Sequence, residues 1–236
     1  MLYHLDNFTA LLGVVVALVG GLYVHDITQV LVGRALGDRV ASDSGRLTWR
    51  IAPHVEVYGA VCAIIGGYGW GAPVPVDDRW RGRRRRVAVT LLAGPAVDLL
   101  RGLAAIGLLK AGTGSAVRIP GQAVIATDHL GEVLVAAAGT WCGQAVLSLI
   151  PLPPMLDGGH ALFAWGPVSH GWQQARYQLI DRNIGLAIAV AIVLLPRLFT
   201  SLPDPVGELG GHVVTSTSGS AATGQIVRGL AALVGL

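Results

Sequence analysis

Three stretches of the 236-residue chain set polar, chemistry-bearing side chains inside apolar surroundings, where burying them in hydrocarbon is costly. The first is Val24-His25-Asp26-Ile27-Thr28-Gln29. His25 and Gln29 lie four apart and project from one helix face, with Asp26 about 100° round from His25. This is the layout of H-E-x-x-H, in which two histidines bind zinc and a glutamate activates water. Here Asp stands at the glutamate position and Gln at the second histidine; a hydrogen-bonded contact between helices is the other reading. The second stretch is Ile150-Pro151-Leu152-Pro153-Pro154-Met155-Leu156-Asp157-Gly158-Gly159-His160. Its prolines free local carbonyls and its glycines permit close approach, so Asp157 is either a ligand on exposed backbone or a helix cap. The third is Ala93-Gly94-Pro95-Ala96-Val97-Asp98, whose aspartate can face a site or pair with Arg101 one turn on.

The elements that must carry these groups are membrane elements. Of all residues 53% are hydrophobic and 13% charged, against about 25% charged in a soluble domain. That balance excludes a disordered chain and points away from a soluble globule. Residues 7–33 hold only His25 and Asp26 as potentially charged residues and predict a helix long enough to cross a bilayer. Residues 57–76 are uncharged but contain five glycines, Pro73 and Pro75, which predicts a re-entrant or broken hairpin. Residues 87–109 predict a second span and 133–156 a third, separated by a loop of mixed polarity. Residues 159–182 are aromatic and predicted interfacial, and 183–199 form a final shorter span whose Arg197 can snorkel. The domain reading is thus a membrane domain over 1–199 and a Ser/Thr/Gly-rich tail over 200–236. In that tail 214–224 read as linker and 225–236 as a short amphipathic helix.

Ten of the seventeen basic residues fall between Arg34 and Arg86, six of them between Arg79 and Arg86. The positive-inside bias puts the N-terminus outside and these segments in the cytoplasm. Both basic groups share one side only if 57–76 does not fully cross. The first apolar run lacks a basic leader and a small-residue cleavage site, so it is expected to stay in the mature protein. Cys62 and Cys142 sit in apolar runs and read as core filler. No nucleic-acid recognition motif accompanies the arginines, and no inverted repeat suggests a transporter.

Taken in order, the motifs resemble the site-2 protease family (peptidase family M50) of intramembrane zinc metalloproteases, in its small bacterial form without a PDZ domain. The resemblance covers roughly residues 10 to 199. His25-Asp26-Ile27-Thr28-Gln29 stands at the HExxH position, followed by Arg34-Ala35-Leu36-Gly37-Asp38 at R-x-L-G-D. Gly45-Arg46-Leu47-Thr48, Pro53-His54-Val55-Glu56 and Ala72-Pro73-Val74-Pro75-Val76 are similar to the family's G-R-L-T, P-x-H-I-D-P and A-K-P-V-P-V. Ala93-Gly94-Pro95 with Asp98 resembles A-G-P-x-x-N, and residues 150–159 resemble L-P-x-P-P-L-D-G-G.

The resemblance implies an all-α polytopic core of three motif-bearing transmembrane helices, a re-entrant segment and a final helix. By position it implies zinc ligands at His25, Gln29 and Asp157 and a base at Asp26. It places Gly94, Pro95, Asp98 and Ser148 in the second shell or substrate groove. The departures are chemical: a glutamine offers a neutral amide where imidazole is expected, and aspartate is one methylene shorter than glutamate. Asp98 and Ser148 each replace an asparagine, and Met155 is an added residue. His54 and His160 are the candidate substitute ligands. The leading expectation is a catalytically impaired pseudoprotease of a bacterial-type plasma membrane, binding or regulating a membrane partner through that partner's transmembrane segment, with zinc doubtful. The alternatives are an active zinc protease with an atypical ligand set and a structural subunit with fixed partners in a membrane complex.

Overall fold

The computed structural model describes residues 7–77, 84–113, 116–118, 124–167, 169–199 and 201–218. Helix α1 runs Phe8–Ala35, opened by Asn7, whose side chain accepts from the Ala10 N–H at 3.0 Å. At about 1.5 Å per residue its 28 residues exceed a bilayer core of about 30 Å. Its inward stripe holds Gly13, Ala17, Gly21, His25 and Gln29, while Leu12, Val16, Val19 and Leu31 face outward. Small and polar groups inside with aliphatic groups outside is the arrangement a lipid-embedded helix requires.

The short helix α2 (Val40–Asp43) and a 3₁₀ turn (Ala52–His54) lead to α3 (Val57–Gly66). Ten residues reach about 15 Å, half a bilayer, and Gly67 turns the chain with φ 84°. The return strand lies directly on α3: a Cβ on Gly69 would stand 2.1 Å from the Gly59 carbonyl oxygen. These glycines belong to a segment that enters and comes back.

Helix α4 (Arg84–Lys110) and helix α5 (His129–Leu149) complete the set of three helices long and apolar enough to cross a membrane. Between them Ala116–Arg118 (β1) pairs antiparallel with Val124–Ala126 (β2). Among the described residues this hairpin is the one sheet, and it lies in what reads from sequence as a loop. Helix α6 (Asp157–Trp165), helix α7 (His170–Arg176) and a π turn (Tyr177–Asp181) precede α8 (Ile184–Leu198), with a 61° bend before α8. Counted with α8, the bent pair is a fourth candidate span.

Two expectations change. Arg197 does not snorkel outward: its Nε donates to the Gly66 carbonyl at 3.1 Å, completing the C-terminal end of α3, and its guanidinium pairs with Asp204 at 2.7 Å. Residues 214–218 of the predicted linker are not linker either but close a helix, and 219–224 lie outside the described residues. Helix α9 (Pro205–Ser218) packs on α5 and α4, with Val214 buried against Leu103, Ile106 and Cys142. Its hydroxyls bond back along the helix, as Thr215 does to the Gly211 carbonyl at 2.9 Å. Its Gly210 sits against the Gly143 backbone, where a Cβ would be 2.9 Å from Cα. A polar-looking run thus serves as a close-packing face. The amphipathic end expected over 225–236 lies outside the described residues.

Candidate functional site

α1, α4 and α6 converge on His25. A proline and a glycine in α4 make this possible. A Cβ on Gly94 would stand 2.2 Å from His25 Nε2, so only glycine admits the ring there. Pro95 lacks an N–H and leaves the Leu91 carbonyl, four residues earlier, without its helical donor. Gln29 Nε2 supplies that donor at 2.8 Å.

His25 Nδ1 lies 2.6 Å from Asp98 Oδ2 and His25 Nε2 lies 2.9 Å from Asp157 Oδ2. Gln29 Nε2 donates its second hydrogen to Asp157 Oδ1 at 2.8 Å and lies 3.3 Å from His25 Nε2. Asp98, fully buried, also receives Arg101, whose guanidinium donates to the Gly20 and Gly21 carbonyls and lies over the Trp141 ring. Both readings of Asp98 therefore hold at once: it faces the site and pairs with Arg101.

The imidazole meets a carboxylate on each side, and Arg101 lies against one of them, Asp98.

Asp26, one residue on, turns to a separate cluster. Its Oδ2 accepts from His54 Nδ1 at 2.8 Å and from Arg46 at 2.9 Å. His54 Nε2 lies 3.4 Å from the Thr48 carbonyl, so both its ring nitrogens are engaged. His160 Nε2 is bonded to the Pro154 carbonyl. The structure places these two histidines on Asp26 and on the Pro154 carbonyl, and neither is bonded to His25. Ser148 is buried and lines a cavity of about 20 Å³ with His25, Asp26, Gln29, Gln144 and Asp157. That volume admits one water and no peptide.

The donor set can be tested against zinc. A catalytic zinc takes three protein donors carrying lone pairs and keeps one open position. His25 and Asp157 qualify. The third position presents an amide N–H₂, and the amide cannot turn over without setting its oxygen against the Leu91 carbonyl oxygen. Among the described residues no three His, Cys, Asp or Glu side chains are grouped to hold a metal. These residues do not fit a catalytic zinc.

From sequence Arg46 stands only within the G-R-L-T resemblance, with no role, and the Leu91 carbonyl and Gln144 are not singled out. The Leu91 carbonyl has a local signal, since a mid-helix proline names the carbonyl it frees. The Gln144 side-chain oxygen is buried with no partner.

Comparison with known proteins gives one relative of clear similarity. The chain is 27% identical over 157 residues, 61% of its own length, to the "Putative zinc metalloprotease YwhC" of Bacillus subtilis (strain 168). The match spans 64% of that protein's length. No protein-family model matches the chain, and no solved structure does.

Proposed function

We propose that this chain is a metallopeptidase-like membrane protein on a site-2 protease plan that holds a transmembrane segment of another protein without cutting it. One observation carries the reading: Gln29 donates both amide hydrogens, to the Leu91 carbonyl and to Asp157, where hydrolysis would need a metal donor. The engagement of Asp26 by Arg46 and His54 supports it, because a base must be free to take a proton from water. The similarity to a protein named as a zinc metalloprotease supports the plan. The half-length α3 and the arginines on either side of it favour an N-terminus outside and basic segments in the cytoplasm.

The test is metal analysis of detergent-purified protein beside the double variant Asp26→Glu/Gln29→His. Wild type is expected to hold no stoichiometric zinc and to leave transmembrane peptides intact, and the double variant to gain zinc. One zinc per wild-type chain, with chelator-sensitive cleavage, sinks the reading.

A further inference from the structure

The residues 71–76 form a strap across the mouth of the cavity, and four tethers hold it. The Ala72 N–H donates to the His54 carbonyl at 3.0 Å, beside an antiparallel bridge between Gly71 and Val55. Arg46 donates to the Ala72 carbonyl at 3.2 Å and to the Pro73 carbonyl at 2.8 Å. Val74 packs on Val30 and Ala41. The Asp77 N–H reaches Asp38 at 3.0 Å. Gly71, Ala72, Pro73 and Val74 all line the cavity that holds His25, Gln29 and Asp157.

Arg46 is the joint between strap and bundle. Its guanidinium grips two strap carbonyls and, through the same fork, Asp26 of α1. Both side chains are largely buried, at 13% and 5% exposure, so the pair is poorly screened, with His54 the second donor on Asp26. Pro73 has no N–H to give, so the strap is tethered there through carbonyls, and the Arg46 fork takes two of them at once.

We propose that Asp26 is the anchor of a latch: Arg46 holds residues 71–76 shut over the polar cavity, and the cavity opens to a polypeptide only when the Asp26–Arg46 pair is released. As a regulator of partner binding the latch rests on the reading above; as a mechanical device it stands alone. A shorter side chain than glutamate suits this role, because Asp26 reaches sideways to the 46–54 segment and not forward to Asp157.

The test reads strap release directly in the full chain reconstituted in liposomes. Val74→Cys places a reporter thiol at a position now 6% exposed, and maleimide labelling is followed site by site by mass spectrometry. Adding Arg46→Gln or Asp26→Asn is expected to speed reporter labelling at least tenfold, and adding both no further, since both release one latch. Cys62 and Cys142, 1% and 0% exposed, are expected to stay unlabelled and report an intact bundle. Unchanged reporter labelling, or additive effects of the two substitutions, overturns the proposal. If Arg46→Gln also exposes the native thiols, Arg46→Lys decides: it keeps the charge beside Asp26 but loses the fork. An intermediate rise with silent native thiols supports the latch, and no rise overturns it. No partner or metal is added, so zinc in the wild-type protein would end the proposed function without touching this result.

Discussion

Pro95 and Gln29 meet at a single carbonyl. The proline withholds the hydrogen bond that Leu91 would receive within α4, and the glutamine of α1 gives it from outside at 2.8 Å. Each residue makes sense of the other. Gln29→Leu leaves the Leu91 carbonyl and one oxygen of Asp157 without this donor, and is expected to cost about 1–3 kcal/mol. Combined with Pro95→Ala, which returns an N–H to Leu91, the loss is expected to fall short of the sum of the single effects by at least about 0.5 kcal/mol. Equilibrium unfolding in mixed micelles measures all four proteins of the cycle.

Asp98 and Arg101 form a buried pair of opposite charge, which gives a second prediction. Arg101→Leu strands Asp98, and Asp98→Asn strands Arg101; each is expected to cost about 3–5 kcal/mol. The double variant Asp98→Asn/Arg101→Leu restores neutrality while an amide oxygen still faces His25. It is expected to be more stable than either single variant in a thermal melt. A double variant that loses the sum of the two single effects contradicts the charge balance.

Two helix glycines separate packing from propensity. Gly94→Ala drives a methyl to within 2.2 Å of His25 Nε2 and is expected to lose about 1–3 kcal/mol with displacement of the ring. Gly139→Ala, in α5 with nothing within 4 Å, is expected to be neutral or to gain up to about 1 kcal/mol. Melting temperatures of the two variants, side by side, check the contrast.

Much of this was legible in the sequence because hydrocarbon makes polar groups conspicuous. His25, Gln29, Asp98 and Asp157 stood out in apolar runs, and their number and spacing named the helices that carry them. The glycines and prolines of 57–76 announced a segment that does not cross. What stayed hidden depends on contacts between distant segments. Arg46 reads as one more cytoplasmic arginine until the fold brings it to Asp26, 20 residues away along the chain. His54 and His160 read as spare imidazoles until their nitrogens are found on Asp26 and the Pro154 carbonyl. Helix α9 was missed for a compositional reason: serine, threonine and glycine mark linkers in water, but between membrane helices they permit close approach.

That close approach yields a further prediction. Gly210→Leu forces α9 away from Gly143, exposing the cluster around Val214, Leu103 and Cys142. The variant is expected to show Cys142 alkylated by a small thiol reagent and α9 cut by protease, while wild type resists both. Resistance in the variant contradicts the packing described for α9.

His25 and Asp157 touch across 132 residues of chain, and this separation sets a schedule for biosynthesis. The imidazole leaves the ribosome long before its second carboxylate exists, and Asp98 arrives part-way between. A nascent chain released to the bilayer before α6 is made would carry a half-satisfied polar cluster in its first span. The polar cluster carried by α1 is therefore completed only once a short helix far downstream has been made.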